Sequence, residues 1–194
     1  PWSKEDVGKN GLIRFPGGSG GGGAIGNIDG VEPGKLKVDG ATLANIYLGK
    51  ITKWSDPAIK ALNPDVNLPD AVITTVFRSD GSGTSFNFTN YLSAVSPEWK
   101  EKVGAANSVK WPTATGTAGT AGKGNEGVAN FVRTVKNSIG YVEYAYAKQN
   151  SMSHVSLKNK AGNFVQPSLE TFSAAAKADW KSAPGFGLIL TDQA

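Results

Sequence analysis

No cysteine occurs among the 194 residues, which excludes disulfides, thiolate metal sites and cysteine nucleophiles. Histidine is nearly absent too: His154 stands alone. It falls on a predicted hairpin and reads as a solvated surface residue. No H-x-x-x-H or paired-carboxylate spacing appears, so no metal site and no metal or organic cofactor is expected. No apolar stretch approaches the roughly 20 residues of a membrane helix, so direct membrane insertion is not expected. No charged-then-apolar leader is present, and the chain opens on Pro1; the expectation is a processed or trimmed product with any signal peptide gone. Basic residues number 20 against 16 acidic ones, a net charge of +4. The lysines are scattered rather than gathered into a stripe beside aromatics, so nucleic acid is not an expected partner.

Glycine, by contrast, is abundant at 25 residues. The excess is local: residues 16–26 read PGGSGGGGAIG, either a flexible linker or a strand degraded to glycine. Gly21, Gly23 and Gly26 formally satisfy G-x-G-x-x-G, but the turn-rich NIDGVEPGK follows instead of a helix, so the dinucleotide reading is discarded. Beyond residue 26 a regular alternation begins. Asp39 is a predicted N-cap for a helix over 41–48, with Leu43, Ile46 and Tyr47 on one face. Asp56–Pro57 combines a cap with proline at the first helical position, and that helix stops before Asn63–Pro64. AVITTVF at 71–77 reads as a buried strand, and FNFTNYLSAV at 86–95 has helical spacing. WPTATGTAGTAGKG reads as loop, 126–135 as helix, 139–142 as strand and 143–149 as helix. Residues 154–157 and 163–165 read as a hairpin, 169–180 as a helix and 186–190 as a terminal strand. Strands alternating with helices imply an α/β fold with a mostly parallel sheet flanked by helices. Trp54, Trp99, Trp111 and Trp180 read as core anchors.

One junction carries chemistry. FRSDGSGTS, residues 77–85, lies between the predicted strand and the helix after it. The first amides of a helix lack intrahelical partners, and its dipole makes that end positive. Gly81 and Gly83 let backbone approach a ligand. Ser82, Thr84 and Ser85 offer hydroxyl donors, and Arg78 offers a planar fork suited to two oxygens of a tetrahedral oxyanion. Asp80 is placed to fix that fork by an ion pair. The set reads as an anion site at a helix N-terminus. It lacks the lysine of a nucleotide P-loop, and Asp80 stands where a nucleophile elbow needs its first glycine. No catalytic residue is therefore assigned. A second junction, GKGNEG at 122–127, either caps its helix at Asn125, the simpler reading, or brings more amides to the same cleft.

RSDGSGTSFNFTNYLS, VKWP, GKGNEGVANFV, SIGYVEYAYAKQN and ADWK, with LGKITKWSDPAIKALNP upstream, follow one another in this order. In these blocks the chain resembles the periplasmic phosphate-binding proteins of bacterial high-affinity phosphate ABC transporters, the type II periplasmic binding fold. The resemblance implies a two-lobed clamshell closing over one dehydrated phosphate. By carry-over, Arg78, Ser82, Gly83 and Thr84 match the second lobe's phosphate ligands, and Asp80 matches the acid that pairs with the arginine. The chain reads as an incomplete clamshell, the second lobe without most of the first. The implied divisions are 1–15 as a remnant of first lobe and hinge, 16–26 as the glycine-rich linker-like segment, 27–185 as the phosphate-binding lobe and 186–194 as a strand returning to the hinge. The function implied is that of a monomeric, periplasmic or extracellular receptor that binds inorganic phosphate for an ABC permease. The alternatives are a receptor for another tetrahedral oxyanion such as sulfate, or a phosphatase-like enzyme using Ser82 or Asp80.

Overall fold

A computed structural model describes residues 21–115, 118–168 and 170–171. Two sheets organise them. The larger contains β1 (Gly22–Asn27), β3 (Thr74–Arg78), β4 (Gly119–Gly122) and β5 (Ser138–Glu143), in the order β1-β5-β3-β4. The pairs β5–β3 and β3–β4 are parallel, and β1 joins β5 antiparallel. The smaller sheet holds β2 (Lys37–Val38), β6 (Ser156–Lys158) and β7 (Phe164–Val165). The β6–β7 pair is the predicted hairpin.

Helices form where caps and apolar spacing coincide. In α1 (Gly40–Tyr47), Asp39 caps by accepting from the Thr42 amide, and Leu43, Ile46 and Tyr47 are buried. In α2 (Pro57–Leu62), Asp56 accepts from the Ala58 amide ahead of the first turn, and the helix ends at Asn63. Ser82 caps α3 (Gly83–Val95), and Ser96 caps α4 (Pro97–Lys102). A turn of 3-10 helix (Pro112–Ala114) precedes β4. Two further helices, α5 (Gly124–Thr134) and α6 (Tyr144–Gln149), flank β5 in sequence.

Strand alternation sorts the core into two layers. Ala24, Phe77 and Tyr141 face a cluster with Tyr47, Leu92 and the buried Trp54, Trp99 and Trp111. Their neighbours Ile25, Val76 and Val142 face Val128, Ala129, Val132 and Ala147 on the other side. Thus α1 and α3 cover one face of the large sheet, and α5 and α6 cover the other. The chain is an α/β layer structure, its larger sheet flanked by helices.

The structure corrects several expectations. Residues 22–26 belong to β1, with Gly22 opposite Glu143 and Gly26 opposite Ile139. At these positions the linker reading gives way to the alternative of a strand written in glycine. The predicted loop over 111–124 contains β4 and the 3-10 turn. His154 is not a freely solvated side chain. It bridges to Ile25, its ring lies 5.6 Å from that of Tyr144, and burial lowers its basicity. A side chain at Gly23 would come within 3.3 Å of the His154 Nδ1, so bare backbone in β1 makes room for this ring. Residues 172–180 of the helix predicted over 169–180, the strand at 186–190, Trp180, and the divisions 1–15 and 186–194 lie outside the described residues.

Candidate anion-binding site

Chain direction places the site. After β3 the chain crosses into α3 on one face of the sheet, and after β4 it crosses into α5 on the other. Two adjacent parallel strands whose continuations diverge open a crevice at their carboxyl ends, the usual ligand position of open α/β sheets. The loops 79–82 and 123–124 line it.

Arg78 is the last residue of β3, and its side chain is only 11% exposed. Its Nε donates to Asp80 Oδ1 at 2.7 Å and its Nη2 to Oδ2 at 2.6 Å. Two parallel bonds hold a guanidinium far better than one. Five N–H groups belong to this fork, so three remain for a ligand. The amide of Gly124, first residue of α5, also donates to Asp80 Oδ1, at 3.0 Å. The acid is therefore clamped from both sides of the crevice. Arg78 foremost, then the Gly124 amide, hold the Asp80 carboxyl far below the usual carboxylate range, and the pair raises the Arg78 basicity in turn.

At the start of α3 the amides sort themselves. Those of Ser85 and Phe86 return to Ser82, to its Oγ at 3.2 Å and its carbonyl at 3.0 Å. Among the described residues no protein acceptor takes up the amides of Gly83 and Thr84. The Ser82 amide donates to the Asn107 carbonyl, which fixes the cap. Ser82 Oγ accepts one bond and keeps its proton to donate. Side chains built at Gly81 or Gly83 would meet nothing within 4 Å among the described residues. Among the described residues, three guanidinium N–H groups of Arg78, the amides of Gly83 and Thr84 and the hydroxyl protons of Ser82 and Thr84 are thus left without a protein acceptor around this junction.

Two residues depart from expectation. Ser85 turns inward, sharing a 2.7 Å hydrogen bond with the buried Tyr141 hydroxyl. Two residues past Gly83, helical rotation carries it off the ligand face. Asn125 does not cap α5; its Oδ1 accepts from the Glu143 amide, and Lys123 holds the cap position without a side-chain bond. The alternative, more amides brought to the same cleft, is what Gly124 does. Sequence reasoning missed Gly124 and Tyr141. The signal for Gly124 was its place in GKGNEG; Tyr141 lies inside an apolar strand and gave none.

Comparison with known proteins decides the family. The model of the PBP superfamily domain matches residues 3–183. The chain belongs to the PBP superfamily. Curated superfamily relatives include the phosphate-binding protein PstS of Pasteurella multocida, 56% identical over 100% of this chain and 55% of the relative. The PstS of Xylella fastidiosa (strain Temecula1) is 54% identical over 99% of this chain and 52% of its own length. The chain thus spans about half the length of the curated relatives it matches. Among solved structures, a Clostridium perfringens protein with bound phosphate superposes with a TM-score of 0.62 at 22% identity, over 92% of this chain and 59% of the other. An ancestral soluble variant of the human phosphate binding protein gives 0.69 at 18% identity, over 92% and 52%. These structural likenesses establish the PBP fold.

No helix among the described residues is long and apolar enough to cross a membrane. The strongly lowered Asp80 carboxyl carries a pH consequence. Its folded-state value is depressed, so the stability it contributes is present above the unfolded carboxyl value near about 4. That stability is lost as pH falls through the folded value. Urea midpoints at pH 7 and pH 3 check it: Asp80→Asn is expected to lose less stability between them than wild type. Equal losses would show the carboxylate uncoupled from folding.

Proposed function

We propose that this chain supplies half of the cage of an extracytoplasmic receptor for inorganic phosphate serving an ABC-type importer. Arg78, Ser82, Gly83 and Thr84 hold the anion, and Asp80 orients the arginine. The observation that carries the reading is the Arg78–Asp80 pair, joined at two points and followed directly in the chain by a helix start whose Gly83 and Thr84 amides have no protein acceptor among the described residues. The PstS names of curated relatives above 50% identity support phosphate over other oxyanions. The protein works as a monomer in the periplasm or outside the cell, and a membrane permease is its partner. It binds without catalysis: Ser82 Oγ accepts an amide, and Asp80 is saturated by Arg78 and Gly124.

Charge-assisted hydrogen bonds contribute about 1.5–3 kcal/mol each, so a cage lacking several is weaker by orders of magnitude. Titration calorimetry is expected to show this chain binding phosphate no tighter than micromolar, with full-length Pasteurella multocida PstS binding far more tightly beside it. Sub-micromolar affinity from these residues alone would mean that they complete the cage. No saturable heat even at millimolar phosphate would remove the site.

A further inference from the structure

Tyr141 lies in the middle of β5, buried to 1% exposure, and belongs to no ligand set. Its hydroxyl accepts from the Arg78 amide at 3.1 Å and shares a 2.7 Å bond with Ser85 Oγ. Those partners lie on the two elements that carry the anion donors. Arg78 bears the guanidinium. Ser85 sits in the first turn of α3, and its own amide bonds the Ser82 Oγ. One oxygen atom thus sets the spacing between the end of β3 and the start of α3. Its ring cannot drift: Phe88 of α3 stacks on it at 4.3 Å and 13°, with Tyr47 and Trp111 tilted around it.

We propose that Tyr141 is a positioning residue for anion binding, its hydroxyl pinning the Arg78 main chain to the first turn of α3 so that guanidinium and amides converge on one oxyanion. The inference rests on the phosphate reading of the site and deepens it. The Arg78 amide sits in the last ladder position of β3, opposite Gly122, and bonds this hydroxyl. Phenylalanine at 141 would keep the ring stack and leave the part-buried Arg78 amide and the buried Ser85 Oγ without that partner. An unpinned strand end then lets Arg78 and the helix start move apart by fractions of an ångström, which short charge-assisted bonds do not tolerate.

A buried hydroxyl also contributes to stability, so the test needs a control. Tyr47 provides it: its hydroxyl reaches the carbonyls of Val76 and Ile139 at 3.3 Å in the same aromatic cluster, away from the donors. Amide chemical-shift titration with inorganic phosphate is run on the full chain, well below its melting temperature. Compared are wild type, Tyr141→Phe, Ser85→Ala, their double variant, Tyr47→Phe and Arg78→Ala. Tyr141→Phe is expected to raise the dissociation constant by about tenfold, the weight of one buried hydrogen bond. Ser85→Ala should act in the same direction, the double variant adding little more, while Tyr47→Phe stays within about twofold. If Arg78→Ala abolishes the phosphate shifts but Tyr141→Phe leaves the constant unchanged, Tyr141 is structural only and the inference falls alone. If Tyr47→Phe weakens binding as much as Tyr141→Phe, general loosening is the cause and the inference also falls. Should wild type show no saturable shifts, or Arg78→Ala bind normally, the phosphate reading fails first and takes this role with it.

Discussion

Phosphate binding is expected to vanish from Arg78→Ala, the largest functional effect a single substitution should have in this chain. The fork spends two of its five N–H groups on Asp80 and keeps three for a ligand. Losing two charge-assisted bonds of about 1.5–3 kcal/mol each corresponds to a drop of roughly 10² to 10⁴ in affinity. The true loss should lie at the upper end, because alanine also strands Asp80. Its carboxylate would keep only the Gly124 amide and would face an incoming anion with uncompensated charge. Two further variants separate these causes. Arg78→Lys keeps the charge but not the fork and is expected to recover part of the binding. Arg78→Ala with Asp80→Ala removes the stranded charge and should bind better than Arg78→Ala alone, yet well below wild type. Calorimetry with phosphate measures all three, with melting temperatures to show that folding is intact. Undiminished binding by Arg78→Ala would move the site elsewhere.

The parts of this site written in consecutive residues are legible in the sequence alone. Arg78, Asp80 and the cap at Ser82 follow from a strand, a turn and a helix start, each with a local signature. The helices show themselves through Asp39, Asp56–Pro57 and a 3.6-residue apolar period. What stays hidden depends on contacts distant in sequence. Gly124 reaches Asp80 across 44 residues, and Tyr141 reaches Arg78 across 63. Nothing in SIGYVE distinguishes a core tyrosine from one with two polar partners. Strand propensity fails at β1 and β4 for one reason: GGAIGN and GTAG are poor in β-branched residues. Those strands are set by pairing and close packing, where propensity is routinely overridden. Asn125 misleads because asparagine is a good cap in general; here it is occupied by the end of β5.

Close packing makes Gly122→Ala a substitution expected to damage the fold severely. Gly122 pairs with Arg78 at the end of the β3–β4 ladder, and its carbonyl accepts from the Ser79 amide at 3.0 Å. A methyl built there would lie 2.5 Å from the Gly127 carbonyl carbon and from the Val128 nitrogen. Both obstacles are backbone of α5, so no rotamer change relieves the clash. From the other side, a side chain at Gly127 would come within 3.0 Å of the Gly122 carbonyl carbon. Helix and strand therefore touch through bare main chain, and a methyl forces them apart. Overpacking costs about 1–3 kcal/mol where side chains can yield; with backbone on both sides the upper end or more is expected. For a chain of this size, about 3 kcal/mol lowers the melting temperature by roughly 6–12 °C. Gly81→Ala is the matched control, since its methyl would meet nothing within 4 Å among the described residues; it should stay within about 0.5 kcal/mol of wild type. The displacement also reaches the anion site. Moving α5 away from β4 carries the Gly124 amide off Asp80, so Gly122→Ala should raise the pKa of that carboxyl toward the ordinary carboxylate range. Carbon-detected NMR titration of Asp80 in the folded variant reads that shift directly. A Gly122→Ala protein that melts with wild type and leaves Asp80 strongly acidic would mean that the two glycines are not in contact and that the crevice is built differently.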